Sequence, residues 1–450
     1  MPLTLSKSEP QSDTVMPGRR SAARLFWDHW WRRASRFAAG GRWTDRLQAS
    51  VRQNLRWFWF DGVFSQASES VVVAYLSLFV LALGATRAQI GLMSSLSSLS
   101  GALLLLPGAI LVERWGHRKQ VVVFSGGGAA RVGLLLLALV PLVFVGPTAV
   151  SLVIVLAIAR STFANLGVPA WMSLTADIVP LSWRGRYFSA RNMAMSVVGM
   201  VATFLVGQLI THVGAPTGYQ LAMGLAFILG VAATFSFTRI EEPAGSDPSR
   251  TADRSSYSSL LPHLRAHPDF LALCATAALW SFSLNVAGPF FSVYLVEDLK
   301  ASAGVVGMLS VVSSLAALPG QRLFGPLSDR WGAHRVQLIT GLLIPLLPFG
   351  WALTRSPWHA VPINLAGGFL WAGYGLSSFN FLLTLTPEDR RPRYSALYQV
   401  VVMAALAGGA AVGGVIADGL GYRAVFAISG VGRLSAALLF ARFVYRVAGQ

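Results

Sequence analysis

A seven-residue loop sequence occurs twice in this chain, and the repetition fixes its architecture. Glu113-Arg114-Trp115-Gly116-His117-Arg118-Lys119 returns 216 positions later as Asp329-Arg330-Trp331-Gly332-Ala333-His334-Arg335. Acid, Arg, Trp and Gly keep register, and basic residues close both copies. The match extends upstream at the same offset. Gly91 falls on Gly307, Ser94 on Ser310, Ser97 and Ser98 on Ser313 and Ser314, and Leu99 on Leu315. A chain whose second half repeats its first at such a spacing is built from two structural halves.

Both copies lie between long apolar runs, so the duplicated unit is membrane-embedded. Of the 450 residues 54% are hydrophobic and only 12% are charged, whereas a soluble chain carries about 25% charged residues. Twelve apolar stretches reach the roughly 20 residues that cross a bilayer. They cover 57–83, 88–112, 120–145, 148–175, 186–212, 218–239, 268–296, 302–327, 335–354, 358–386, 393–417 and 422–446. The polar stretch 240–264 divides them six and six. The expected domains are therefore a basic segment 1–56, a six-helix bundle 57–239, a linker 240–267 and a second six-helix bundle 268–446. Paired membrane halves are the usual architecture of secondary transporters.

The net charge of +17 invites a nucleic-acid reading, but its distribution opposes one. With the N-terminus inside, inner segments hold 27 of the 36 basic residues, and outer loops hold only Arg87, Lys300, Arg355 and Arg423. This positive-inside pattern places both termini and the linker in the cytoplasm. Residues 21–56 interleave Leu25, Phe26, Trp27, Trp30 and Trp31 with Arg24, Arg32, Arg33 and Arg36. That composition suits a segment lying on an anionic membrane surface or, equally, a solvated basic tail. The first 20 residues hold no apolar core, so no cleavable leader is expected. The single Cys274 excludes an internal disulfide framework or a Cys-rich metal site.

The repeated loops resemble the signature of the major facilitator superfamily, and the likeness covers residues 57–446. That signature runs Gly, three residues, Asp, Arg, one residue, Gly, then basic residues. Gly325, Asp329, Arg330, Gly332 and Arg335 fit it. The first copy keeps Arg114, Gly116 and Arg118 but has Glu113 for the Asp and Ala109 for the leading Gly, a change expected to loosen packing between spans 2 and 11. A second duplicated loop, Pro180, Arg184, Arg186 and Tyr187, matches Pro387, Arg391, Arg393 and Tyr394. Asp61-Gly62 and Pro169-Ala170-Trp171 are similar to strings in bacterial members. The resemblance implies an all-α fold of twelve transmembrane helices in two pseudo-symmetric bundles, set in a bacterial inner membrane. It implies halves that rock around a central cavity, with the signature loops as a gate and Asp177 paired to Arg114 or Arg118. The plainer reading of these Arg is that they only set topology.

Depth counting at 1.5 Å per residue brings Glu69, Arg131 and Arg160 to mid-membrane. An ionised side chain there costs about 2.5–3.5 kcal/mol or more unless paired or hydrated, so all three are expected to face the bundle interior. Asp61, Ser65, Ser68 and Glu69 form one polar stripe on span 1. Glu69 is the expected proton-coupling group, or else a structural partner of an Arg. Arg160, followed by Ala164, Asn165 and Gly167, loosely resembles the span-4 motif of proton-coupled members. Arg131 and Arg160 outnumber Glu69, a surplus that favours an anionic substrate. In the second half Asn285, Trp371, Tyr374, Asn380, Tyr398 and Gln399 are candidates for a substrate cavity or for packing. Arg433 is expected to be structural. No metalloprotease, nucleophile-elbow or Walker motif is present, which argues against an enzyme and an ATP-driven pump. No cofactor or metal site is expected. The expected partners are a small solute, protons and lipid, with a monomer as the working unit. A non-transporting sensor or scaffold on the same fold is the alternative.

Overall fold

The computed structural model describes residues 47–180, 183–242, 268–385 and 391–444, without the side chains of Leu106, Glu113, Phe379, Asn380, 382–385 and 391–393. The basic stretch 1–46 and most of the linker lie outside the described residues. Among the described residues every regular element is helical. We label α1 Ala49–Ala82, α2 Arg87–Trp115, α3 Arg118–Val143, α4 Gly146–Ile178, α5 Arg184–Val213, α6 Thr217–Thr238, α7 Pro268–Glu297, α8 Ala303–Trp331, α9 Ala333–Ala352, α10 Ala360–Leu385 and α11 Arg391–Phe443. Ten of the helices are long and apolar enough to cross a membrane. The expected count of twelve requires α10 and both arms of α11, which bends at Gly421 with φ 78°.

The repeat explains where helices stop. Gly116 and Gly332 follow α2 and α8 at φ 67° and 84°, a region that a Cβ disfavours. Thr86 starts α2 by a capping box, its hydroxyl accepting from the Gln89 amide and its own amide donating to the Gln89 side chain. Helix α1 begins at Ala49, eight residues before the expected span. The extra turns place Asn54 against the backbone of Glu241 at 2.8 and 2.9 Å.

Three helices depart from the uniform rods the sequence suggests. Residues Val123–Ala129 of α3 form a π-helical turn containing Gly126, Gly127 and Gly128. Helix α4 breaks at Gly167, just before Pro169, and α7 breaks at Gly288–Pro289. Missing or displaced amide bonds at Pro and wide turns account for such breaks.

The halves meet along α2 with α11 and α5 with α8. The close points are glycines, as membrane helix contacts favour. A Cβ on Gly91 would stand 2.6 Å from the Ala410 carbonyl oxygen. One on Gly307 would stand 3.0 Å from that of Thr203. Gly325, the signature glycine of the second copy, has open space where a Cβ would stand, so it makes no close approach here. One apolar core straddles both halves, joining Val71, Tyr75 and Phe79 to Phe290, Tyr294 and Phe426. Nearer the basic loops the cores are separate. Leu55, Phe58, Leu174 and Tyr187 serve the first half, and Leu273, Phe381 and Phe440 the second. The halves are thus joined at the face opposite the basic loops. Large apolar side chains such as Leu142, Val155 and Val431 stay exposed, as a lipid-facing surface requires.

Candidate functional site

A cavity of about 270 Å³ opens inside the first half, between α1, α3, α4 and α6. Asp61, Ser65 and Glu69 line it from α1, Gly126, Gly127 and Arg131 from α3, Arg160 and Trp171 from α4, and Thr234 and Phe237 from α6. The π turn of α3 and the break in α4 both border it. Arg160 donates from Nη2 to Glu69 Oε2. The Arg160 side chain is 8% exposed and that of Glu69 46%, so the carboxylate is the partner open to the cavity. Arg131 donates to Ser65 Oγ at 3.0 Å and to Ser68 Oγ at 3.3 Å. Ser68 donates its own hydrogen bond to the Ala226 carbonyl of α6 at 2.6 Å. Asp61 faces Arg191 of α5 at 3.6 Å, and Arg191 lies 4.1 Å over the Phe58 ring. A desolvated ion pair survives in such surroundings only with good geometry and further hydrogen bonds.

The structure brings Glu69, Arg131 and Arg160 together at one cavity. Asn165 is not with them. It turns to α2 and donates to Ser100 Oγ at 3.1 Å. Arg191 and the stripe Asp61–Ser65–Ser68 complete the cluster. Arg191 was not among the expected site residues, although its charge inside span 5 was the available signal.

The matching cavity of the second half is nearly filled. Its volume is about 20 Å³, room for one water. Tyr374 stacks on Trp280 at 4.7 Å, and Trp371 meets both rings edge-on. Tyr398 lines the same space, whereas Gln399 is exposed. Asn285 donates to the Leu406 carbonyl at 2.8 Å and so ties α7 to α11. The side chain of Asn380 lies outside the described residues. Arg433, fully buried, donates to the Leu284 carbonyl at 3.3 Å. A third space of about 350 Å³ lies where the halves meet, lined by Gln66, Ser70, Ser196, Thr203, Ser310 and Ser314. Ser310 and Ser314 belong to the repeated stretch but were noted in the sequence only for their register.

On the basic face Arg118 is the hub. It donates to Asp177 Oδ2 at 2.6 Å, Ser173 Oγ at 2.9 Å and Glu242 Oε1 at 2.9 Å. Of the two arginines implied as partners for Asp177, Arg118 is the one in contact, and Arg114 is exposed. The Glu113 side chain lies outside the described residues. Asp329, Arg330 and Arg335 are exposed.

The opposite face holds a cluster that the sequence reading missed. Arg87 reaches from the first half to Glu297 Oε1 at 2.8 Å and to the Ala417 carbonyl at 3.1 Å. It also lies 4.2 Å over the Tyr422 ring, and Tyr422 donates to Glu297 Oε2. Asp418 of α11 accepts from the Arg87 and Ala88 amides at 3.1 and 3.0 Å. A carboxylate of the second half therefore caps the first helix turn of α2, where amides lack intrahelical partners.

Two helical halves joined at one face, with charged groups gathered at a cavity inside the first, fit a membrane carrier. The sequence pattern of the Major Facilitator Superfamily matches residues 58–286 and 273–449, and the chain belongs to that family. It is 24% identical over 383 residues to the multi-drug resistance efflux pump PmrA of Streptococcus pneumoniae, covering 83% of this chain and 92% of that one. It is 28% identical over 353 residues to the enterobactin exporter EntS of Escherichia coli, covering 74% and 77%. The fold is similar to that of a D-xylose-proton symporter, with a TM-score of 0.69, 14% identity and coverage of 88% and 98%. It is also similar to the nucleoside transporter NupG, with a TM-score of 0.65, 14% identity and coverage of 86% and 99%. The chain is a multi-pass membrane transporter of small molecules and not an enzyme.

Proposed function

We propose that this transporter is a proton-coupled secondary carrier working by alternating access, with Glu69 as the protonatable group. The observation that carries the reading is the Glu69–Arg160 pair. Its carboxylate faces the cavity while its guanidinium is buried behind it. Protonation of Glu69 removes one charge of the pair and leaves Arg160 uncompensated in a low-dielectric site, which biases the helices that hold it toward another arrangement. The basic face is the cytoplasmic one, by its Arg and Lys excess, and the membrane is the bacterial inner membrane. The signature loops Glu113–Arg118 and Asp329–Arg335 serve as the gate on that face. One chain is the working unit. The names of two relatives, an efflux pump and an exporter, support outward transport.

The test is reconstitution in liposomes holding a pH-sensitive dye, with an imposed pH gradient and a panel of added solutes. Wild type is expected to move protons when its solute is present. Glu69→Gln is expected to lose gradient-driven accumulation of that solute and keep passive exchange. Unchanged accumulation in Glu69→Gln returns this residue to a structural role.

A further inference from the structure

We propose that the first-half cavity is the seat of an anionic group on the transported molecule, with Arg131 as its counter-ion. This deepens the transport reading above and rests on it. The cavity and its wall hold two carboxylates, Asp61 and Glu69, against three guanidinium groups, Arg131, Arg160 and Arg191. Asp61 is matched to Arg191 and Glu69 to Arg160. Arg131 is the remaining cation. Its described bonds go only to the neutral hydroxyls of Ser65 and Ser68, and its Nε, buried, has no partner.

The placement of Arg131 is built rather than incidental. Its stem lies against Gly230 of α6, where a Cβ would stand 2.5 Å from Cδ and 2.8 Å from Nε. Ser65 and Ser68 hold the guanidinium from α1, and Ser68 is itself fixed by the Ala226 carbonyl. A glycine and two serines hold a charge that makes no ion pair among the described residues, Glu69 and Asp61 acting on it only through space. A buried cation without a counter-charge is costly, and an arriving anion lowers that cost through charge-assisted hydrogen bonds. A cationic solute raises it. Apart from Thr234 the rest of the wall is apolar, with Trp171, Phe237 and Val168 facing the same space. The ligand is therefore a carboxylate or similar monoanion on a flat apolar body. With Arg131 as the partner, the Glu69–Arg160 pair stays closed while the anion is seated.

The test is calorimetric binding to the full-length detergent-purified protein with three probes of one shape, 1-naphthoate, 1-naphthamide and 1-naphthylmethylammonium. Wild type is expected to prefer the anion by about tenfold or more. Arg131→Gln is expected to abolish that preference, and Arg131→Lys to retain part of it. Equal binding of all three probes by wild type, tighter binding of the amine, or no binding of any probe at millimolar concentration overturns the proposal. So does an anion preference that survives Arg131→Gln in a folded protein. The wild-type ranking decides the matter alone if that variant does not fold. Binding is read without a gradient. An intact anion preference with unaltered pH-driven transport in Glu69→Gln overturns the coupling assignment and leaves this one standing.

Discussion

At the residue scale, the three arginines at the first-half cavity share one structural device. Each lies against a glycine of a neighbouring helix. Arg191 lies against Gly62, Arg160 packs its Cβ 3.1 Å from where a Cβ of Gly133 would stand, and Arg131 lies along Gly230. A guanidinium stem is long and flexible, and a helix without a side chain at the contact gives it a groove in which few rotamers remain. The charge is thereby held in place before any ligand arrives. Replacing Gly230 by Val fills the Arg131 groove and pushes the guanidinium off Ser65 and Ser68. Such overpacking typically costs about 1–3 kcal/mol. Gly230→Val is expected to keep its helical circular dichroism and expression while transport falls about tenfold or more. Transport at the wild-type rate would show that the Arg131 placement is immaterial. That Glu69, Arg131 and Arg160 share one level was legible from counting along the spans, because helical rise is fixed. Their glycine seats were not, because one sequence does not say which helix lies beside which. The same limit hid the turn of Asn165 toward Ser100 and of Asn285 toward Leu406.

At the element scale, the duplication is written into the seams between the halves. Gly91 of α2 meets Gly414 of α11, Gly307 of α8 meets Thr203 and Phe204 of α5, and Gly207 of α5 meets Ala303 of α8. Gly91 and Gly307 are the same position of the repeat, and Gly207 and Gly414 are related by the offset of the second duplicated loop. The Cβ neighbours follow suit, the Ala410 carbonyl in one seam and the Thr203 carbonyl in the other. Thr203 and Ala410 are again related by that offset. The two-halved, all-helical fold was thus legible, since membrane spans announce themselves by length and hydropathy. The π turn of α3 was not, because apolar composition does not distinguish an i→i+4 ladder from a wide turn. The seam makes a prediction. A Cβ on Gly414 would stand 3.1 Å from the Cα atoms of Ala88 and Gly91, so Gly414→Leu wedges α2 from α11 at the face opposite the basic loops. In a Cys274→Ser background with Thr203→Cys as probe, a membrane-impermeant thiol reagent applied from that face is expected to label Gly414→Leu several-fold faster than the parent. Gly207→Leu, its repeat partner, is expected to act in the same direction. No change in labelling for either variant would mean that the seams do not hold the halves together.

At the scale of the whole molecule, the described charged contacts outside the cavity sort by face. On the basic face Arg118 joins Asp177 and Glu242, all of the first half or the start of its linker. On the opposite face Arg87 joins Glu297, Asp298 and Asp418, and every one of these bonds crosses between the halves. The sequence reading placed the charged contacts at the repeated loops, because there the motif was visible. The Arg87 cluster carries no motif. Its members sit at the start of α2, the end of α7 and the bend of α11, far apart in the chain, and only the fold brings them together. Its bonds have unequal weight. The Arg87 and Glu297 side chains are 27% and 32% exposed, so their ion pair is worth roughly 1 kcal/mol or less. The Asp418 cap on the first turn of α2 adds a term of about 1 kcal/mol. Together they shift a two-state balance of the halves by about tenfold or more. Arg87→Ala and Asp418→Asn are each expected to raise labelling at Thr203→Cys from this face by a few-fold. Because Arg87 contributes its side chain to Glu297 and its amide to Asp418, the two effects are separable. Arg87→Ala removes the ion pair and the stacking on Tyr422 but keeps the amide that Asp418 caps, so the double variant is expected to show nearly additive increases. Adding Glu297→Gln to Arg87→Ala is expected to give little further increase, since the pair is already broken. A double variant of Arg87 and Glu297 whose effect equals the sum of the single effects would mean that these two residues do not act as one contact in closing this face.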